Sequence, residues 1–503
     1  MAESSTDQLV SQGDQIQENQ EDATAAPTSI DTVNDEDKKG GCCKCGGACD
    51  LDDSKGISVA HVFKGVLYMA NIFLSTSLIF LASKEADCLD PLDENEVDGD
   101  CENRIHGMVP SSLITNIAVI SGLASAFTMP LTGAIVDFTP YRRTIGLGSA
   151  ILISVIQAIQ IGTTENTWFY MSILQAIAGW LTQVQVLSQY AYYPEVAREV
   201  GEVKMNSIVN TWSVTQFVTQ EMFLIVIVGL GFALDLDSVQ TGQLSQLIQS
   251  VVLFVTTYKS WWSTITIRPP SHNLPQGRSL WTEGFLQNWR TFLSVNKNYK
   301  KSLRWFLLAV VFSEAGATAI IPVTITFLTG ELGYDGSEIG LTFVIAILFS
   351  IGGTFLGKAI TNKLNPLQSW KLSNLALGLA TAAGSFLLTE DAKFLGYVFG
   401  GVLGLIQGWF YPAESLFFSM ILPKGQEAEL TGFYIYCTQI LVWFPPMVFS
   451  LLVESGTEQR FGMLSMMSFQ LLGIAILSCC GPWEELLEEA HAKLDEKADT
   501  DDQ

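Results

Sequence analysis

Apolar residues fall into about twelve long stretches separated by short polar turns. A helix needs about 20 mostly apolar residues to cross hydrocarbon. The pattern therefore predicts spanning helices at roughly 57–83, 109–136, 144–163, 166–194, 205–234, 242–265, 303–329, 337–362, 369–389, 393–414, 428–454 and 461–481. The sixth is the most polar, because Gln243, Gln246 and Gln249 stand near its start. A long polar interval, 266–302, divides the set six and six. Within it Trp281, Phe285 and Trp289 recur at helical spacing, which predicts an amphipathic helix along the membrane surface. Residues 482–498 read as a short acidic helix starting at a proline. Spans of this kind make an all-α polytopic membrane protein, surrounded by a lipid bilayer.

Positive charge sorts to one side of these spans. With the N-terminus inside and the tails set aside, the even-numbered turns and flanks carry eighteen Lys and Arg, Lys64 among them. The odd-numbered turns carry four: Lys84, Arg104, Lys393 and Arg460. The positive-inside bias then places both tails in the cytoplasm.

Composition fits this picture. Of 503 residues 16% are charged, against about 25% in soluble proteins. The net charge of −24 is confined to residues 1–54, 84–104 and 484–503. Acidic tails and one acidic loop suit solvated segments and exclude a basic nucleic-acid footprint. The first fifty residues lack an apolar signal core, so the first span is expected to act as the insertion signal. Cys88 and Cys101 share the first non-cytoplasmic loop, where a disulfide is permitted. Cys42, Cys43, Cys45 and Cys49 cluster before the first span, as acylated juxtamembrane cysteines do. A metal site is the rival, but no second pair and no nearby His completes it. Cys437, Cys479 and Cys480 are expected to pack within spans. No cofactor, metal centre or catalytic triad is expected, and the chain is not read as an enzyme. Gly352-Gly-Thr-Phe-Leu-Gly357-Lys358 imitates a phosphate-binding loop, but Ala359 follows and the segment is a span.

The halves repeat one motif. The fourth span ends Tyr192-Tyr193-Pro194-Glu195 and the tenth ends Tyr411-Pro412-Ala413-Glu414. Gly133, Asp137 and the pair Arg142-Arg143 mark the second-to-third turn, where an acid and paired bases can hold one face closed. This turn resembles the cytoplasmic loop signature of the major facilitator superfamily, whose fold has parallel six-span repeats. The stretch from Tyr411 to Tyr434, with Pro423-Lys-Gly425-Gln-Glu427-Ala-Glu429, resembles the vacuole-effluxer branch of that superfamily, the autophagy-related amino-acid exporters. Tyr193-Pro194-Glu195 and Ser313-Glu314-Ala-Gly316 are similar to further family patches. The chain departs from the family at Glu414, where an Arg is usual, and in its polar fifth span. The resemblance implies a twelve-helix fold in two six-helix bundles, amino-acid transport and a vacuolar or other endomembrane.

Charge inside hydrocarbon is expensive, about 2.5–3.5 kcal/mol per residue on insertion scales. Glu221 and Glu314 are the deep acids and the candidate proton sites. Asn71, Asn116, Gln185, Gln189, Asn210, Gln216 and Gln220 put amides in spans one, two, four and five. Together with Trp212 they are candidates to line a solute path, or else to bond between helices. Asp137, Arg142, Arg143, Glu195 and Glu414 are candidate gate residues at the cytoplasmic surface. Pro445-Pro446 should break span eleven.

The expected layout is a tail 1–55, a six-helix bundle 56–265, a linker 266–302, a second bundle 303–481 and a tail 482–503. The expected function is secondary transport of a small polar solute by alternating access in a monomer, with protons as a coupling ion. A sensor or scaffold of the same fold that moves nothing is the alternative. A lipid or sterol handler is disfavoured by the polar spans four and five.

Overall fold

The structure, a computed structural model, describes residues 49–89, 97, 101, 103–200, 202–270, 274, 277–389, 392–423 and 427–489. Cys42, Cys43 and Cys45 lie outside these residues, as do the side chains of Cys49 and Asn210.

The first helix, α1 (Cys49–Glu85), is followed by α2 (Leu113–Phe138), α3 (Arg142–Ile159) and α4 (Trp168–Tyr190). A short helix, α5 (Tyr193–Val200), precedes α6 (Glu202–Leu234) and α7 (Ser238–Thr257). Asp237 and Gln240 form a capping box that starts α7, and one π turn, Tyr258–Trp262, extends it. The linker helix α8 (Leu280–Asn298) leads to α9 (Leu303–Glu331), α10 (Gly336–Lys363), α11 (Pro366–Leu387) and α12 (Phe394–Ile421). Then come α13 (Glu427–Gln439), α14 (Phe444–Glu454) and α15 (Gln459–Leu477).

Before the linker, α1 packs on α6 and α7, and α4 packs on α2 and α3. After it, α15 packs on α9 and α11, and α10 on α12. The two sets meet where α6 touches α10 and α2 touches α14. We call the end holding Arg142 and Arg143 the basic end and the end holding Cys88 and Cys101 the disulfide end.

Nine helical stretches among the described residues are long and apolar enough to cross a membrane. The helices α4, α7 and α11 are not among them. Their polar side chains turn inward: Gln185, Gln246, Gln249, Ser369, Ser373 and Asn374 are each 0% exposed. Apolarity alone therefore does not reach the expected twelve.

The break in span eleven lies between α13 and α14, before the proline pair rather than at it. Pro445 and Pro446 occupy the first turn of α14, where a missing N–H costs no helical bond. Cys437 is buried as expected, but Cys479 is exposed and Cys480 half-buried, both beyond the end of α15. The linker behaves as its spacing predicts. Trp281, Phe285 and Trp289 are exposed on α8, whose other face reaches α2, where a Cβ at Gly284 would lie 2.2 Å from the Pro130 carbonyl oxygen.

The closest helix pair, α10 and α12, depends on small residues. Gly400, Gly404 and Gly408 recur every four residues along one face of α12. A Cβ at Gly404 would lie 2.0 Å from the Ala346 carbonyl oxygen, and one at Gly408 2.0 Å from that of Ser350. This is close backbone approach of the kind that replaces hydrophobic drive inside membranes.

Candidate functional site

Among the gate candidates, Arg142 is 2% exposed and donates to Glu195 Oε1 at 2.7 Å and to the Ala191 carbonyl at 3.1 Å. Arg143 donates to the carbonyls of Trp261, at 2.9 Å, and Trp262. Arg268 reaches Glu195 Oε2 at 3.7 Å and donates to Asp53 from Nε at 3.0 Å. Asp53, fully buried, also accepts from the Thr266 backbone N–H at 2.7 Å. Asp137 stands at the end of α2. The described bonds of Arg142, Arg143 and Glu195 thus stay among α2–α7 and the start of the linker. These bonds brace the basic end of the N-terminal helices. The Glu-Val-Ala that follows Pro194 continues into α5 and returns Glu195 to Arg142. Asp53→Ala is expected to cost about 1–3 kcal/mol by leaving the Thr266 N–H without its buried acceptor and removing one partner of Arg268, read as a fall in the melting temperature of the detergent-solubilised protein.

Glu414 is corrected more sharply. It was expected at the membrane surface, yet it is 1% exposed. The helix α12 does not stop at Tyr-Pro but runs seven residues further to Ile421, which carries Glu414 inside. There its carboxyl lies beside that of Glu314, 7% exposed on α9. Tyr434 of α13 donates to Glu414 Oε1 at 2.7 Å and stacks on Phe418 at 4.3 Å. Glu221 is not part of this group; it lies on α6, both oxygens buried and without a hydrogen-bond partner.

A complementary group faces this pair from the N-terminal helices. Lys64 was counted as a flanking charge, but it is 9% exposed and lies eleven residues past Asp53 on α1, about 16 Å along the helix. Its ammonium sits 5.6 Å from the Tyr68 ring centroid and 5.5 Å from that of Tyr190, whose hydroxyl it also engages. One turn earlier, His61 Nδ1 donates to Gln216 Oε1 at 3.1 Å and Nε2 accepts from the Tyr193 hydroxyl at 2.8 Å. Tyr190 and Tyr434, from opposite halves, are near enough to interact electrostatically.

The path candidates divide. Gln185 and Gln189 are buried on α4, and neither atom of the Gln185 amide nor Nε2 of Gln189 has a protein partner. Gln216 holds His61, and Gln220 packs beside Gly65 on α1. Trp212 is fully buried, stacks at 6.0 Å on His61 and donates to the Ser54 carbonyl. Asn71 is half-buried with Oδ1 unpartnered. Asn116 lies elsewhere, near the disulfide end, where it donates to Ser112 at 3.0 Å. Sequence reasoning missed His61 and read Lys64 as a flanking charge, while Tyr190 is expected from the sequence as an apolar wall with a polar tip. The signal was present: His61, Lys64 and Tyr68 share one face of a predicted span.

The halves are tied at the disulfide end. Cys88 and Cys101 form a disulfide in the α1–α2 loop. Arg104 of the same loop pairs with Glu454 at 3.1 Å. Glu454 Oε1 also accepts from the Val109 backbone at 2.9 Å and from Ser112 at 2.5 Å. Thr115 and Ser450 share a hydrogen bond of 2.7 Å below them. Nearby, Ser238 accepts from the Gly336 N–H at 3.3 Å.

Comparison with known families decides the kinship. A family model described as vacuole effluxer Atg22 like matches residues 65–481. The chain belongs to the vacuole effluxer Atg22-like family. Autophagy-related protein 22-1 of Aspergillus niger is 22% identical over 223 residues, 40% of this chain and 36% of that relative. Autophagy-related protein 22 of Coccidioides immitis is 24% identical over 247 residues, 43% of this chain and 40% of the relative. The chain thus spans well under half the length of these curated relatives in the matched region. Among solved structures, a mutant of nucleoside transporter NupG is similar with a TM-score of 0.58 and 13% identity, over 85% of this chain and 99% of that one. A D-xylose-proton symporter gives a TM-score of 0.54 and 12% identity, over 86% and 98%. These likenesses show a major-facilitator-type fold. The Atg22-like chain therefore combines its family's sequence with a major-facilitator-type fold of many membrane-spanning helices.

Proposed function

We propose that this Atg22-like protein is a secondary transporter of small polar solutes, amino acids in particular. Residues 56–265 and 303–481 act as two six-helix bundles of twelve crossings in all, joined by the linker 266–302, with both tails in the cytoplasm of a vacuolar or related endomembrane. Gln185, Gln189, Gln216 and Gln220 border the solute path, and α2–α14 and α6–α10 open and close it.

One observation carries the reading: a buried ammonium on α1 lies against Tyr190, two buried carboxyls on α9 and α12 lie beside Tyr434, and Tyr190 and Tyr434 are within electrostatic range of each other. No carboxylate pairs with Lys64 among the described residues. A site with a cation on one wall and acids on the other suits a solute carrying a carboxylate and an ammonium a few ångströms apart. Charges held in a low-dielectric interior interact far more strongly than in water.

The test uses purified protein in liposomes preloaded with unlabelled solute. Labelled amino acid should accumulate by exchange, and free amino acids should compete. Their methyl esters and N-acetyl derivatives, which lack one of the two charges, should not. Uptake driven by nucleosides or sugars with amino acids inert would overturn the assignment.

A further inference from the structure

Glu314 and Glu414 are both more than nine-tenths buried, on different helices, with their carboxyls in contact. Tyr434 satisfies Glu414 Oε1. Glu414 Oε2 is buried and meets no N–H or O–H donor from the protein. Its neighbour is the Glu314 carboxyl, which when ionised can only accept. Two ionised carboxyls in contact repel, and in carboxyl pairs of this geometry one proton is retained.

The groups acting on the pair come from three helices. They are Tyr411 on α12, Tyr434 on α13 and, through Tyr434, Tyr190 on α4. From α15 the Gln470 amide lies beside Gly316, two residues along α9, and donates to the Ser313 carbonyl at 3.3 Å. These tyrosines and the glutamine carry no charge; the cation of the site, Lys64 on α1, lies against Tyr190 on the far side of Tyr434.

We propose that Glu314 and Glu414 form a single proton-binding site, with one proton shared between the two carboxyls. The proton bonds α9 to α12. Its loss leaves two adjacent carboxylates whose repulsion loosens that contact, so one proton is linked to one change in packing beside the solute site. This deepens the transport reading, but the site itself can be tested without transport.

Infrared difference spectra of the full chain in lipid nanodiscs at neutral pH provide the test. Wild type should show a protonated-carboxyl stretch that Glu314→Gln and Glu414→Gln each remove. The remaining acid then accepts from the glutamine amide and no longer needs the proton. A band left at full height in either single variant would mean the proton belongs to one residue alone, and the shared site falls. Replacement of choline by sodium should leave the band unchanged; its loss in sodium would make this a metal-cation site and also overturn the proposal. Equal melting temperatures for the variants guard against unfolding. In liposomes, a pH gradient should stimulate uptake by the wild-type protein. Absent exchange with the band present would sink the transport reading and leave the proton site standing.

Discussion

Lys64→Met is expected to weaken binding of an amino acid by roughly thirtyfold to several thousandfold. That range corresponds to about 2–5 kcal/mol, the usual effect of truncating one partner of a buried, hydrogen-bonded charge pair. Methionine keeps the length of the stem and removes the ammonium. The apolar contacts with Tyr68 and Tyr190 survive while the charge does not. Folding should not suffer, since an isolated ammonium in this position costs desolvation that methionine avoids. Ligand-induced thermal stabilisation measures the effect. The decisive comparison is with the amide of the same amino acid, which lacks the carboxylate. Its binding should change by less than threefold between wild type and Lys64→Met. An equal loss for acid and amide would mean that Lys64 orders the helices and does not meet the solute. Lys64→Arg should recover only part of the affinity, because a planar guanidinium does not fit the space of an ammonium.

The second large effect is structural. Gly404→Val or Gly408→Val should prevent normal packing of α10 against α12. Each new Cβ would approach a backbone carbonyl oxygen to 2.0 Å, and no rotamer change can move backbone aside. Overpacking a core commonly costs about 1–3 kcal/mol, and a backbone-to-backbone clash belongs at or above the top of that range. With total stability of about 5–15 kcal/mol, the pair Gly404→Val/Gly408→Val should leave little folded protein. Size-exclusion profiles and melting curves in detergent would show this as aggregation and a lost transition. Gly352→Ala is the control. It lies on α10 with nothing within 4 Å of the added carbon, so its effect should be neutral or slightly favourable. A normal profile for the double variant would show that α10 and α12 sit further apart than described here.

Much of the fold was legible because membrane helices announce themselves by length and apolarity, and the linker helix by its aromatic spacing. Legibility failed where neighbours decide. Polar spans such as α4, α7 and α11 are stable only because other helices cover their glutamines and serines. Glu414 looked like an end-of-helix residue, since Tyr-Pro reads as a stop; packing carried α12 onward and brought the side chain to Glu314. The Arg142–Glu195 pair was legible as chemistry, but its bonds within one half could not be read from the motif. Lys64 was mistaken for a flank because a positive residue near the start of a span is usually one.

By itself the sequence determined that the chain is a bundle of membrane helices and that charged residues are sparse within them. These follow from local facts: the length of apolar runs, the distribution of Lys and Arg, and the cost of charge in lipid. Only the tertiary structure decided which buried charges meet. Glu314 and Glu414 are a hundred residues apart in the chain, and Lys64 lies against Tyr190, which comes within electrostatic range of Tyr434 from the other half. The energy of such a group depends on distances between helices, and nothing in the order of residues along a single helix records those.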